Sequence, residues 1–262
     1  MILKRMLKHL LHKRGYIIKE SIMYKYSLRD GIYIPLDIDI DNEFKSICIK
    51  PKKYTMSSIE RMFALYKATQ YIVKNDIPGD LVECGVWRGG SSMLMAFVLE
   101  SMNEKKRSIF LYDTFEGMDK PTKKDINILN KSADDTWRGM REKGINKWDY
   151  SPIEEVKKNM FETGFPKERL IFVKGKVEDT IPATIPDKIS LLRLDTDWYE
   201  STYHELIYLF PKLSKGGVII IDDYMHWKGA KEATDKYFRE NSVKILLNRI
   251  DYTGVIGIKT ST

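Results

Sequence analysis

Acidic residues stand at the ends of several short apolar runs, and an acid at a strand end can do chemistry. Glu83 lies in DLVEC (80–84), Asp113 follows SIFLY (108–112), Asp195 closes ISLLRLD (189–195), and Asp222 and Asp223 close GGVIIIDD (216–223). Asp197 follows Asp195 by two residues. Like charges gathered this closely cost free energy unless a cation lies between them. Carboxylates with no cysteine or histidine among them suit a hard cation. Asp195, Asp222 and Asp223 are therefore read as ligands for Mg²⁺, with Mn²⁺ or Ca²⁺ as alternatives. The competing reading is that Asp197 or Asp222 caps the helix that follows it.

A second constellation surrounds the first run. Glu83-Cys84-Gly85-Val86-Trp87-Arg88-Gly89-Gly90-Ser91-Ser92 is a glycine-rich turn. Gly85 permits a sharp turn, and Gly89 and Gly90 are expected to let a ligand approach the backbone at a helix N-terminus. The turn lacks the GxGxxG dinucleotide fingerprint. Glu83 can accept from a ligand's ammonium or hydroxyl. Asp113 can accept from both hydroxyls of a ribose. Alone, Asp113 would read as a helix cap; beside the glycine-rich turn it predicts an adenosine-type ligand.

These residues need elements that bring them together, and the pattern supplies them. Apolar runs at 80–84, 108–112, 170–175, 189–195 and 216–223 read as strands. Between them, helices are expected at Ser91–Glu100, Pro152–Glu162, Tyr199–Phe210 and Lys228–Glu240, with Ser151 as an N-cap and Pro152 at the first helical position. A further helix begins at Ser57 or Ser58 and is stopped by Pro78-Gly79. VKILLN (243–248) and GVIGIK (254–259) predict a closing antiparallel pair. Alternating strands and helices imply an α/β, Rossmann-like, mostly parallel seven-stranded sheet covered on both faces. Ligands of such sheets bind at the carboxyl ends of the strands, where these acids fall. The polar stretch 114–150 has little periodicity and is expected to be a lid, in which Trp137 and Trp148 either stack on a ligand ring or form the lid's own core.

Composition bounds the rest. The 262 residues suit one α/β domain, preceded by an extension over 1–53 whose first twenty residues form a cationic amphipathic helix. The formal charge of +7 is concentrated partly in that helix, at Lys4, Arg5, Lys8, Lys13, Arg14 and Lys19. No RNA-binding signature or zinc spacing accompanies it, so no nucleic-acid partner is expected. The plain reading of that helix is a solvated basic surface, the sharper one a peripheral contact with an anionic membrane surface or a partner subunit, and a homodimer is the expected assembly. No run approaches the ~20 apolar residues of a membrane span. The chain start lacks a signal peptide's long apolar region, and Cys48 and Cys84 make no disulfide framework, so a cytoplasmic location is expected.

ECGVWRGGSS, LYDTFEGM, LLRLDTDWYEST, GGVIIIDDY and LLNRIDYTG resemble the macrocin O-methyltransferase family, from about Tyr54 to near the C-terminus. The resemblance implies S-adenosylmethionine as methyl donor, a divalent metal, and a sugar hydroxyl as acceptor on a glycan, a nucleotide sugar or a glycosylated metabolite. It implies that Thr55 and Met56 meet the methionine end of the cofactor. Glu83, Gly85, Arg88, Ser91 and Ser92 would form the first-strand loop, and Asp113 would hold the ribose beside Thr114 and Phe115. Ser151, Lys176 and Val177 would border the adenine. The metal would take Asp195, Asp222 and Asp223 and chelate a vicinal diol. Asp195 is the expected general base, with Asp197 and His226 as rivals. A catechol-like or lipid acceptor would use the same cofactor and metal. A nicotinamide-dependent oxidoreductase would share the sheet, but would be expected to carry GxGxxG and would not need the acids at 195, 222 and 223.

Overall fold

The computed structural model describes residues 26–29 and 32–261. The amphipathic helix expected over the first twenty residues lies outside them. The chain forms two compact units, with the boundary between Asp41 and Asn42. In the small unit, Tyr26–Arg29 pairs antiparallel with Ile32–Pro35, and the single turn Leu36–Asp39 follows. Helix α1 (Asn42–Lys52) belongs to the large unit, where Glu43 accepts from Tyr66 at 3.0 Å and from Gln70 at 3.2 Å.

The large unit runs α2 (Ile59–Lys74), β1 (Asp80–Cys84), α3 (Gly90–Ser101), β2 (Ile109–Asp113), α4 (Ile153–Phe161), β3 (Leu170–Lys174), β4 (Ile189–Leu194), α5 (Tyr199–Leu209), β5 (Leu213–Ile221), α6 (Lys228–Glu240), β6 (Asn248–Arg249) and β7 (Val255–Ile258). The seven-stranded sheet has the order β6-β7-β5-β4-β1-β2-β3. β1 to β5 run parallel to one another, while β7 is antiparallel to β5 and to β6. This is the expected Rossmann-like fold. Strands covered on both faces must be apolar throughout, and ISLLRL in β4 is buried at every position.

The register levels the strand ends. Cys84 stands opposite Tyr112 and Leu194, and Leu194 opposite Ile221. The next backbone bonds continue the ladder: Asp195 N–H donates to Cys84 at 2.8 Å and Asp222 N–H to Leu194 at 2.9 Å. The chain leaves β1 toward β3 and returns beside β1 as β4, so the switch point of the sheet lies between them, where ligands bind in such folds.

Some local expectations change. Ser58 caps α2, its Oγ accepting from Arg61 N–H at 3.0 Å, but α2 ends at Lys74, ahead of Pro78-Gly79. Pro152, not Ser151, is the N-cap of α4, and the Ser151 hydroxyl is buried with no hydrogen-bond partner. The closing pair is shorter than its apolar pattern, because Ile245 and Leu247 pack on the core without joining a ladder. Among the described residues no helix is long and apolar enough to cross a membrane.

The 114–150 segment is ordered by contacts from elsewhere in the chain. It contains the helix Ala133–Gly139 and a two-residue ladder, Arg141–Glu142 with Ile145–Asn146. Its first half is fastened by Asp125, which is fully buried and caps α5 from outside by accepting from Tyr199 N–H at 2.8 Å. The same carboxylate accepts from the N–H and the hydroxyl of Thr122 at 2.6 and 2.8 Å. Asp125→Ala removes all three bonds and is expected to lower the unfolding free energy by about 2–3 kcal/mol. Urea unfolding measures this, and a loss under ~0.5 kcal/mol would contradict the anchoring role.

Candidate active site

Two cavities open at the switch point. The first, about 190 Å³, is lined by Tyr112, Asp113, Thr114, Lys176, Val177 and Thr196 among others. The second, about 260 Å³, is lined by Thr55, Met56, Glu83, Ser91, Asp195, Asp197, Asp222, Asp223 and His226, with Trp148, Trp227 and Tyr252. Gly85, Asp113, Gly117, Met118 and Asp195 line both. The cavities meet at the ends of β1, β2 and β4.

Gly85 makes that junction possible. Its φ is 82°, and a Cβ there would lie 2.1 Å from the Asp195 carbonyl oxygen. Gly90 has a different use from the one expected. A Cβ on it would meet the Pro51 carbonyl oxygen and the Tyr54 carbonyl carbon, each at 2.6 Å. Gly90 thus admits a neighbouring stretch of chain, and Gly89 faces Val156 and Met160.

Asp113 organises the first-strand turn. Its carboxylate accepts from the N–H groups of Val86 at 2.7 Å, Trp87 at 3.0 Å and Phe115 at 2.7 Å. Burial raises its pKa, and these bonds work against the rise. A carboxylate offers about four acceptor sites. The Thr114 hydroxyl, 3.4 Å from the same carboxylate, is a fourth neighbouring donor, so a ribose hydroxyl there would take over its place. Phe115 is buried with φ 54° and serves Asp113 through its backbone. Val177 is buried in the first cavity, where Lys176 pairs with Asp119 at 2.7 Å.

Glu83 is 1% exposed and engaged on both oxygens, by Arg193 at 2.7 Å and by the Ser92 hydroxyl. Burial pushes its pKa up, and Arg193 opposes this most strongly. Ser92 therefore supports Glu83 rather than lining a cavity. Thr55 and Ser91 stand 3.5 Å apart, hydroxyl to hydroxyl, on the wall of the second cavity. Arg88 lines neither cavity. Its guanidinium lies over the Tyr54 and Trp87 rings, at 5.0 and 5.8 Å, and pairs with Glu155 at 2.7 Å. It ties the first-strand turn to the Tyr54 loop and to α4. Ser151 also lines neither cavity.

The acids of the second cavity sort into two sets. Asp195, Asp197 and Asp223 bring ligand oxygens within 4.8 Å of one another. Asp222 lines the same cavity but is paired with two arginines, accepting from Arg193 at 2.6 Å and from Arg61. Arg193 also donates to Asp195 at 2.6 Å, to Glu83, and to Ser57 at 2.9 Å. Among the described residues no ion pair reaches Asp197 or Asp223. Burial, with repulsion from Asp223, pushes the Asp197 carboxyl well above the usual range; burial raises Asp195 too, against the pull of Arg193. A divalent cation would relieve both. The donor set therefore fits a hard cation.

Arg193 and Arg61 are site residues that the sequence reading did not single out. The signal for Arg193 was present: an arginine inside a wholly apolar central strand must be paired where it is buried. Backbone strain also marks the region. Trp87, Phe115, Asp149 and Asp197 all adopt positive φ without being glycine, at 48°, 54°, 51° and 68°. Such residues persist only where surrounding structure holds them, and they cluster at functional sites. Asp197 is held in this way by the Asp195–Thr196–Asp197 turn, where Thr196 donates to buried Glu205 at 2.9 Å.

Known proteins carry the same architecture. The family model described as Macrocin-O-methyltransferase (TylF) matches residues 40–258. Demethyldecarbamoylnovobiocin O-methyltransferase of Streptomyces niveus is 33% identical over 210 residues, spanning 79% of this chain and 76% of the relative. The 8-demethyl-8-(2,3-dimethoxy-alpha-L-rhamnosyl)-tetracenomycin-C 4'-O-methyltransferase of Streptomyces olivaceus is 33% identical over 202 residues, spanning 77% and 74%. The solved structure of the O-methyltransferase NovP matches with a TM-score of 0.70 at 33% identity, over 79% of this chain and 83% of that one. Calicheamicin methyltransferase CalS11 shares the fold at 16% identity, with a TM-score of 0.55 over 92% and 97% of the two chains. On this match, and with the strand-end acids and glycine-rich turn in the places described, the chain belongs to the macrocin O-methyltransferase family and is an O-methyltransferase.

Proposed function

We propose that the protein transfers the methyl group of S-adenosylmethionine to a hydroxyl of a sugar, with a divalent cation held in the second cavity. The observation that carries this reading is the shared wall. A cavity with a ribose-type acceptor, Asp113, meets a cavity with clustered acids at Gly85, Asp113 and Asp195. A donor in one and an acceptor in the other would meet at that wall. The relative named for a rhamnosyl-bearing acceptor supports a sugar.

S-adenosylmethionine supplies an electrophilic methyl group on a sulfonium. A divalent cation supplies positive charge that favours loss of the acceptor hydroxyl's proton. The chain's residues do the rest. Asp113 and Val177 hold the adenosine, and Thr55, Ser91 and Glu83 border the methionine end. Trp148, Trp198 and Trp227 form an aromatic block, with ring centroids 5.1–6.2 Å apart, whose Trp148 and Trp227 wall the acceptor side and exclude water. That placement makes Trp148 both lid core and cavity wall. Positioning two reactants against each other supplies much of such a rate enhancement.

Asp195 and Asp223 belong to both the expected cation set and the carboxylate cluster. Asp197 stands third in the observed arrangement, and Asp222 takes that place only if its arginines release it. Calorimetric Mg²⁺ titration of Asp197→Asn and Asp222→Asn separates the two, since the variant of the true ligand loses the more affinity.

The test is a methyl-transfer assay on demethyldecarbamoylnovobiocin, 8-demethyl-8-(2,3-dimethoxy-alpha-L-rhamnosyl)-tetracenomycin C, nucleotide sugars, glycolipids and catechols. Methylation of a sugar-bearing acceptor that EDTA abolishes and Mg²⁺ restores is expected. Transfer confined to catechols, or unaffected by EDTA, overturns the sugar or the cation part respectively.

A further inference from the structure

The segment LLNRIDYTG contains a ring that neither the core nor the reaction described above uses. Tyr252 lines the second cavity, yet it is 60% exposed. A ring that borders a cavity and still meets solvent stands at the cavity's opening. Among the described residues no hydrogen bond engages its hydroxyl.

Aromatic rings scattered singly over a surface need no explanation. Tyr252 is different, because it ends a row of rings. Centroids of Trp148 and Trp227 are 6.2 Å apart, those of Trp227 and His226 4.9 Å, and those of His226 and Tyr252 6.1 Å. All four residues line the second cavity. The row passes from buried Trp227 through half-buried His226 to exposed Tyr252. The cavity thus combines clustered carboxylates with a strip of rings that leads outward. That combination suits a carbohydrate. Its hydroxyls are polar, and its C–H face can rest on an aromatic ring, whose face carries partial negative charge.

The turn that carries Tyr252 is fastened on both sides of it. The Asp251 carboxylate accepts from the N–H groups of Thr253 at 2.9 Å and Gly254 at 2.8 Å. Its other oxygen meets the Ser58 hydroxyl at 2.7 Å and the Arg61 guanidinium at 2.9 Å. Ile250 N–H donates to the Gly254 carbonyl at 2.9 Å, and Met225 N–H to the Thr253 carbonyl at 2.8 Å. Thr253 itself is buried. The backbone is therefore fixed while the ring at its tip faces solvent. A tyrosine on a fixed backbone loses little conformational freedom when a ligand stacks on it.

The reacting hydroxyl has to reach the wall that the two cavities share, at Gly85, Asp113 and Asp195. Tyr252 lines only the second cavity and stands at its opening. It therefore meets the end of the acceptor farther from that hydroxyl. We propose that Tyr252 forms an outer acceptor subsite, its ring face receiving the ring to which the reacting sugar is linked. The proposal rests on the methyl-transfer reading above. The occupant is a second sugar or an aryl ring joined through the glycosidic oxygen, and the two share an apolar ring face. Such a contact is made alike before and during methyl transfer, so it strengthens acceptor binding without speeding the chemical step.

The test uses the full-length enzyme. Wild-type turnover on the acceptor panel tests the methyl-transfer reading by itself, before any variant is compared. Three acceptors built on the sugar that the wild type methylates are then compared: its methyl glycoside, its phenyl glycoside and a disaccharide. The wild type is expected to favour the phenyl glycoside or the disaccharide over the methyl glycoside by about 5-fold in kcat/KM, with the difference in KM. Tyr252→Ala should reduce that preference to less than ~2-fold, and Tyr252→Phe should keep most of it, because the ring and not the hydroxyl makes the contact. Unchanged affinity of both variants for S-adenosylmethionine reports a native fold. A wild type without the preference overturns the proposal, and so does a preference that survives in Tyr252→Ala. Equal losses on all three acceptors would place Tyr252 against the reacting sugar instead, and a phenylalanine variant as impaired as alanine would make the hydroxyl the contact; either result also overturns it.

Discussion

Replacing Arg193 with methionine is expected to lower the thermal midpoint by about 10 °C or more, the largest stability effect of any single substitution at this site. Arg193 is 2% exposed and lies in the central strand β4. Its guanidinium donates to Glu83, Asp195, Asp222 and Ser57 at 2.6–2.9 Å. Removing it leaves three carboxylates in low-dielectric surroundings with less compensating charge. Breaking a buried ion pair from one side costs about 3–5 kcal/mol, a large part of the ~5–15 kcal/mol that keeps a domain folded. Arg193→Lys keeps the charge but cannot span the same acceptors, because an ammonium is a point charge and a guanidinium a planar fork. The lysine variant should therefore fall between the wild type and methionine. Melting followed by circular dichroism measures all three. A methionine midpoint within ~2 °C of wild type would show that Arg193 does not compensate these acids.

Asp195→Asn carries the largest expected effect on turnover, a loss of at least ~10²-fold. Asp195 lines both cavities and belongs to the acid cluster. Its N–H is bonded to Cys84, so the substitution leaves the backbone of the turn in register. Asparagine keeps the shape but removes a charge that a cation needs. Affinity for Mg²⁺ should fall with turnover, while affinity for S-adenosylmethionine stays nearly intact. Substantial activity in Asp195→Asn, with Mg²⁺ affinity unchanged, would remove Asp195 from the centre of the site.

The parts of this arrangement that were legible in the sequence are those that the sheet dictates. A strand buried on both faces must be a continuous apolar run, so DLVEC, ISLLRL and GGVIII announced themselves. The acids at their ends then followed from the general position of ligands on such sheets. What was not legible depends on contacts far apart in sequence. Nothing in the polar stretch 114–150 shows that Asp125 caps a helix some seventy residues later, or that Trp148 meets Trp198 and Trp227. Local rules also misled where tertiary packing overrode them. Ser-Pro before an apolar run reads as a cap and a first turn, yet the Ser151 side chain is turned inward. Gly89 and Gly90 read as ligand cradles, yet they admit neighbouring protein. Arg88 reads as a ligand contact, yet it is held between two rings and Glu155. The adjacent pair Asp222-Asp223 does not announce in sequence that Asp222 is held by two arginines while Asp223 brings an oxygen within 4.8 Å of Asp195 and Asp197.

The most direct measurement is the position of a transferred methyl carbon. The enzyme is incubated with S-adenosylmethionine labelled with ¹³C in its methyl group, Mg²⁺ and the sugar-bearing acceptors, and the product is read by NMR. The account predicts one labelled methyl ether on a sugar ring carbon next to a carbon with a free hydroxyl, and no label when EDTA replaces Mg²⁺. A label on an aromatic hydroxyl or a lipid, or equal incorporation with and without EDTA, would contradict it.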